Sequence, residues 1–239
     1  MANDALKTKI QSMTKLAAQR VAESPYWFDI NHKRRYVRVN GKSYRAVSLD
    51  PANPCGSLIR DGKKVSGNKT LKLALLDAAD PQCENHVPKN KKPEHRIQAV
   101  LIWTALTDPQ GLPRAIGIAD RFDAIWFVAD EVKMDKIRAD LIMLGESQGR
   151  YVPIFIELKY KRETQVGEQV KNASEMARTI EAEFCQFLSA ATKKPAEAIE
   201  MTKPLLIAIW GKSDRERPEA QAMRDRYGLL TIHHEELNL

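Results

Sequence analysis

Between residues 4 and 23 the apolar positions Leu6, Ile10, Met13, Leu16, Ala17 and Val21 return every three or four residues, which predicts an amphipathic helix. The period then changes. Tyr36–Val39 and Lys42–Val47 alternate around Asn40-Gly41, a pair suited to the positive φ angles of a two-residue turn, so a β-hairpin is predicted there. Cys55 to Lys69 reads as a loop or a second hairpin around Asp61-Gly62, and Thr70 to Ala79 as a short helix. Pro81 to Pro93, polar and carrying Lys89, Lys91 and Lys92, is the candidate linker. Pro93 and Glu94 open a helix that closes before Asp108-Pro109. Residues 114–129 read as one strand or two with a bend, most buried over Ala124 to Val128. Residues 131–144 fit a helix or an excursion between strands. An apolar, β-branched run over 152–160 predicts a buried strand, followed by one long helix over about 165–191. A strand over 204–210, a helix over 219–227 and a strand over 228–233 complete the pattern.

Helix, strands, helix, strand, strand implies an α/β fold, a mixed central sheet flanked by helices. Residues 1–88 form an N-terminal helix-and-hairpin region, and residues 89–239 the core. A chain of 239 residues with 43% hydrophobic content can bury a sizeable core. No apolar run is long enough to span a bilayer, and the N-terminus lacks a signal-peptide layout. Three cysteines (Cys55, Cys83, Cys185) are too few and too odd for a disulfide framework, so the expectation is a cytoplasmic protein with no membrane partner. The net charge of +7 is a modest bias toward polyanions.

Chemistry concentrates at the end of the 152–160 strand. Residues i and i+2 of a strand share a face, so Glu157 and Lys159 stand side by side while Leu158 points the other way. A buried strand has no structural reason to end on two opposite charges, whereas a metal-dependent phosphodiesterase needs them. An acidic residue two before a lysine arises about two or three times by chance in a chain this charged. Asp61-Gly62-Lys63 lies in turn chemistry, and Glu131-Val132-Lys133 has no suitable upstream Asp on a paired strand. Only Glu157 combines a buried strand, an upstream Asp (Asp123) heading another buried strand, and a following helix. No Ser-His-Asp order, phosphate-binding glycine loop or dinucleotide fingerprint is present.

From Glu94 onward, over about 145 residues, the chain resembles the PD-(D/E)XK nuclease superfamily in motif and element order. The resemblance implies a restriction-endonuclease-like core with an Asp on the second core strand, which Asp123 fits, and an E-x-K ending the third, which Glu157-Leu158-Lys159 fits. It implies a helix glutamate facing the site, matched by Glu94, and in one branch a glutamine on the helix after the third strand, matched by Gln169 or Gln165. The tyrosine that follows that glutamine at i+4 is absent, position 173 being alanine, and Phe122 replaces the usual proline before the Asp. The implied cofactor is Mg²⁺, with Mn²⁺ able to substitute. Mg²⁺ takes hard oxygen ligands and keeps several waters, so Asp123 and Glu157 with a phosphate oxygen would suffice, with Glu94 on a metal or its water. Lys159 would orient the attacking water or neutralise transition-state charge. The implied activity is a DNA endonuclease of restriction, phage defence or repair, its partners double-stranded DNA and a second subunit or partner protein.

Basic groups beside such a site add salt-dependent affinity for phosphates, which assigns that role to Lys161 and Arg162. Arg35 and Arg38, interleaved near Tyr26, Trp27 and Phe28, suit a nucleic-acid grip as well as they suit the wet face of a packed hairpin. Cys83-x-x-His86 lacks the second close pair of a zinc site, and Trp103, Trp126, Phe127 and Trp210 belong to core runs. Two rival readings remain: a non-catalytic nucleic-acid-binding or assembly subunit that keeps the fold, and an unrelated α/β domain in which Glu157 and Lys159 are a surface pair. The last is the expectation if Asp123 lies far from Glu157.

Overall fold

A computed structural model describes residues 2–23, 36–39, 42–46, 58–60, 63–66, 97–98, 101–102, 104–105, 108–134, 137–159, 166–210 and 218–237. Helix α1 (Ala2–Glu23) buries Leu6, Ile10, Met13 and Ala17, the stripe its periodicity predicts. Strands β1 (Tyr36–Val39), β2 (Lys42–Ala46), β3 (Leu58–Arg60) and β4 (Lys63–Ser66) form a four-stranded antiparallel meander. Val39 pairs with Lys42 and Arg60 with Lys63, the registers expected of hairpins centred on Asn40-Gly41 and Asp61-Gly62, which themselves lie outside the described residues. The predicted helix over 70–79 and the linker over 81–93 lie outside the described residues.

The large sheet has the order β5 (Ala124–Met134), β6 (Ile137–Ser147), β7 (Arg150–Leu158), β8 (Leu205–Trp210), β9 (Leu229–His233). The first two pairings are antiparallel and the last two parallel, so the sheet is mixed. Helices α3 (Val166–Arg178) and α4 (Glu181–Thr192) carry the chain from β7 to β8, and α5 (Pro218–Tyr227) from β8 to β9. Parallel neighbours require such crossovers. On one face Ile142, Leu144, Phe155, Ala208 and Trp210 join a core with α1, α3 and α4, where Phe155 and Phe184 stack at 5.9 Å. On the other, Leu141, Met143, Ile154, Ile156, Ile207 and Ile209 meet Leu101, Ile102 and Ala105 of the preceding helical residues. Strands β7 and β8, covered on both faces, read as continuous apolar runs for that reason.

Three predicted elements differ from the observed ones. Residues 114–123 are no strand: α2 (Leu112–Ala115), opened by Pro113, leads into turns that pass through Gly117 at φ 74°. Asp108 starts this segment by accepting the Gly111 N–H on Oδ1 at 2.9 Å. The ambiguous stretch 131–144 is neither helix nor excursion but the far end of β5 and most of β6. Leu141, Met143 and Leu144 are good helix formers, and pairing on both edges of β6 overrides that local preference. The helix over 165–191 is two helices, because the chain turns at Thr179-Ile180, with Ile180 buried and at φ −127°.

Candidate functional site

Strands β6 and β7 form one hairpin closed by Gln148 and Gly149, at φ 51° and 75°, the positive pair of a type I′ turn. Its ladder runs from Ser147↔Arg150 to Leu141↔Ile156. The ladder stops there, and continuing its register by one step would set Asp140 across from Glu157, on the same face. There the Asp140 carboxylate replaces ladder bonding, its Oδ2 accepting the Leu158 backbone N–H at 2.7 Å. The buried Gln98 side chain donates to the Asp140 carbonyl at 3.1 Å, fixing the same residue through its backbone. On the other side of β7, Lys159 N donates to Ile209 O at 2.9 Å, holding the strand end against β8.

Glu157 is 2% exposed. Lys159 Nζ donates to its Oε1 at 2.7 Å, while Oε2 is buried and accepts no hydrogen bond of ordinary geometry. Burial pushes the Glu157 carboxyl above its ordinary range. The bond and charge of Lys159, the Asp140 backbone and the Gln169 side chain each pull it back in part. Ala208 is the β8 partner of Glu157, and Trp210, two positions on, has a buried indole N–H with no acceptor. Among the described residues both of these buried atoms lack a partner of ordinary geometry, an uncommon state for buried groups, and both lie toward the same end of the sheet.

Of the residues that the sequence singles out, the structure brings Lys159 and Gln169 beside Glu157 and leaves Asp123 apart from them. Asp123 precedes β5, where its N–H donates to Glu146 O at 2.7 Å and its Oδ2 accepts the Gln148 N–H at 2.9 Å. That is the turn end of the hairpin, about 20 Å from Glu157 at a strand rise of roughly 3.3 Å per residue. Asp123 cannot share a cation with Glu157, and its carboxylate instead pins the turn. That distance is the one expected of an unrelated α/β domain, but Glu157 and Lys159 are not the surface pair of that reading, because Glu157 is 2% exposed. Phe122, in the place of the expected proline, lies so close to Gly145 that a Cβ there would meet its ring at 2.5 Å. The signal that could have found Asp140 is its place, eight residues before Gln148-Gly149, with Glu157 eight residues after. Glu94, Gln165, Lys161, Arg162 and Arg35 lie outside the described residues, and Arg38 is placed only by its backbone, opposite Ser43 in β1.

Among the described residues no group of three or more His, Cys, Asp or Glu is gathered to hold a metal ion. The donor set Asp140 and Glu157 nevertheless fits a hard divalent cation, since two carboxylates suffice where waters and substrate oxygens complete the shell. The buried, unpartnered Oε2 of Glu157 is the atom such a cation would satisfy. No helix among the described residues is long and apolar enough to cross a membrane. The chain matches no protein-family model, no curated protein and no solved structure.

Proposed function

We propose that the chain is a Mg²⁺-dependent nuclease of the PD-(D/E)XK type that hydrolyses phosphodiester bonds within DNA. The observation that carries the reading is the nearness of Asp140 to Glu157, through the Leu158 N–H on its carboxylate, with Lys159 on the Glu157 carboxylate. Asp140 sits on the second strand of the large sheet and Glu157-Leu158-Lys159 ends the third, the order that the resemblance requires. Gln169, on the helix after the third strand, supports it further by its nearness to Glu157.

Asp140 and Glu157 would hold the metal, which when bound lowers the pKa of a water and polarises the scissile phosphate. Asp140 is pre-set for this by the Leu158 N–H, so its carboxylate need not reorganise. The hydrophobic surroundings of Glu157 keep bulk water away and strengthen each charge interaction. Lys159, past the last residue of β7 and only partly buried, can reach a phosphate oxygen and offset the charge that builds there. Gln169 would orient the carboxylate or the attacking water by an amide hydrogen bond.

The test is incubation of the purified protein with supercoiled plasmid, linear DNA and single-stranded RNA, each with Mg²⁺, Mn²⁺ or EDTA, beside Lys159→Ala. Metal-dependent plasmid cutting that the variant loses would support the reading, and cutting of RNA alone would change the substrate. Binding without cutting, weakening as salt rises, would favour the non-catalytic subunit instead.

A further inference from the structure

We propose that Lys159 is the resident counter-ion of this site and competes with the divalent metal for Glu157, so that metal loading is coupled to the arrival of a phosphate. The inference rests on the metal-site reading above and adds the order in which the site fills. Its basis is that each carboxylate already has one oxygen engaged: Asp140 Oδ2 by the Leu158 N–H, and Glu157 Oε1 by the Lys159 ammonium at 2.7 Å. Glu157 is 2% exposed, and an ammonium within hydrogen-bond distance of so buried a carboxylate stands in for the cation.

A divalent ion on Oε2 would sit a few ångströms from that ammonium, where like charges in a poorly solvated site repel strongly. The lysine is the movable partner. It follows the last residue of β7, its side chain is 20% exposed, and four methylenes let its head swing without moving the strand. A substrate phosphate offers the ammonium another acceptor, which frees Glu157 for the metal. Phosphate and metal therefore bind with positive coupling, and each raises the affinity for the other by the same factor. In this arrangement a site without substrate holds its metal weakly.

The experiment is a titration with Mn²⁺ alone, read by the loss of the free-ion signal in electron paramagnetic resonance, on the intact chain, Lys159→Met and Glu157→Gln. Thermal melts confirm that each is folded. Lys159→Met is expected to bind Mn²⁺ about tenfold or more tightly than the intact chain, by removal of a like charge at short range, while losing cleavage. Glu157→Gln is expected to bind at least tenfold more weakly, by loss of a ligand charge. Equal or weaker binding by Lys159→Met, with Glu157→Gln still impaired, would overturn the competition and leave the metal site standing. Unchanged binding in Glu157→Gln would remove the metal site and the competition together. Should Lys159→Met fail to fold, Lys159→Gln removes the same charge and keeps a donor group, with the same outcomes.

Discussion

The two ends of the β6–β7 hairpin carry similar chemistry and treat it differently. At the turn end, Glu146 Oε2 accepts the Trp126 indole N–H at 2.7 Å and the Lys194 ammonium at 3.1 Å. That ammonium also lies 3.8 Å from the Trp126 ring centre and 5.4 Å from that of Tyr151, and Arg150 pairs with Glu200. Asp123 caps the turn. At the open end, Glu157 is more deeply buried than any of these groups, yet one of its oxygens accepts no hydrogen bond of ordinary geometry among the described residues. The fold satisfies its charges fully at the exposed end and less completely at the buried end, at a cost in stability that the proposed site would account for. Each of the two aspartates accepts one backbone N–H at its end of the hairpin, and what separates them is that Asp140 alone lies beside Glu157.

The strongest way to break this contrast is to neutralise the open end. Asp140→Asn and Glu157→Ala are expected to lower cleavage by about 100- to 1000-fold, the scale of losing a transition-state charge contact, with the thermal transition retained. A plasmid-cleavage time course beside a melt checks both halves, and parallel loss of activity and folding would mean the open end is structural.

The turn end should fail in the opposite way. Glu146→Ala leaves the Trp126 indole and the Lys194 ammonium without their shared acceptor, at an expected cost of about 1–3 kcal/mol. Chemical denaturation measures it, and cleavage per folded molecule should not change. A smaller effect concerns pH. Burial holds the Glu157 carboxyl above the ordinary value of 4.5, so just above that pH the folded protein keeps a proton that the unfolded chain has lost. Stability of the metal-free protein should therefore fall as pH rises through that window and level off above the folded-state pKa. Glu157→Gln should flatten the profile, and identical slopes for the two proteins would refute the assignment. The smallest effect is expected at Asp123, where Asp123→Ala should cost about 0.5–1.5 kcal/mol for an exposed turn hydrogen bond and leave cleavage intact. Loss of cleavage there would reverse the roles of the two aspartates.

How legible the molecule is from its residues varies along the same hairpin. Strand β7 could be read because Val152, Ile154, Phe155 and Ile156 are β-formers in a run too short for a helix. Glu157 and Lys159 followed from that strand by simple alternation. Strand β6 could not be read, since Ala139, Leu141, Met143 and Leu144 favour a helix locally and become a strand only between two partners. Without β6, the sequence offers Asp123 as the nearest acidic residue heading a strand before β7, and Asp140 is hidden inside an apparent helix. The break at Thr179-Ile180 was hidden for a related reason, as no glycine or proline marks it and the burial of Ile180 sets it. Local propensity reported the elements that stand alone, and tertiary pairing decided the rest.

The two-residue turn at Gln148-Gly149 also limits how this protein can change. Asp140 and Glu157 lie eight residues to either side of it, so the loop acts as a ruler for the carboxylate pair. Adding one residue to either arm between the turn and the site would send one acid to the opposite side of the sheet while leaving most of the apolar content usable. Insertions between these acids thus preserve their alignment only when they keep the register of both arms.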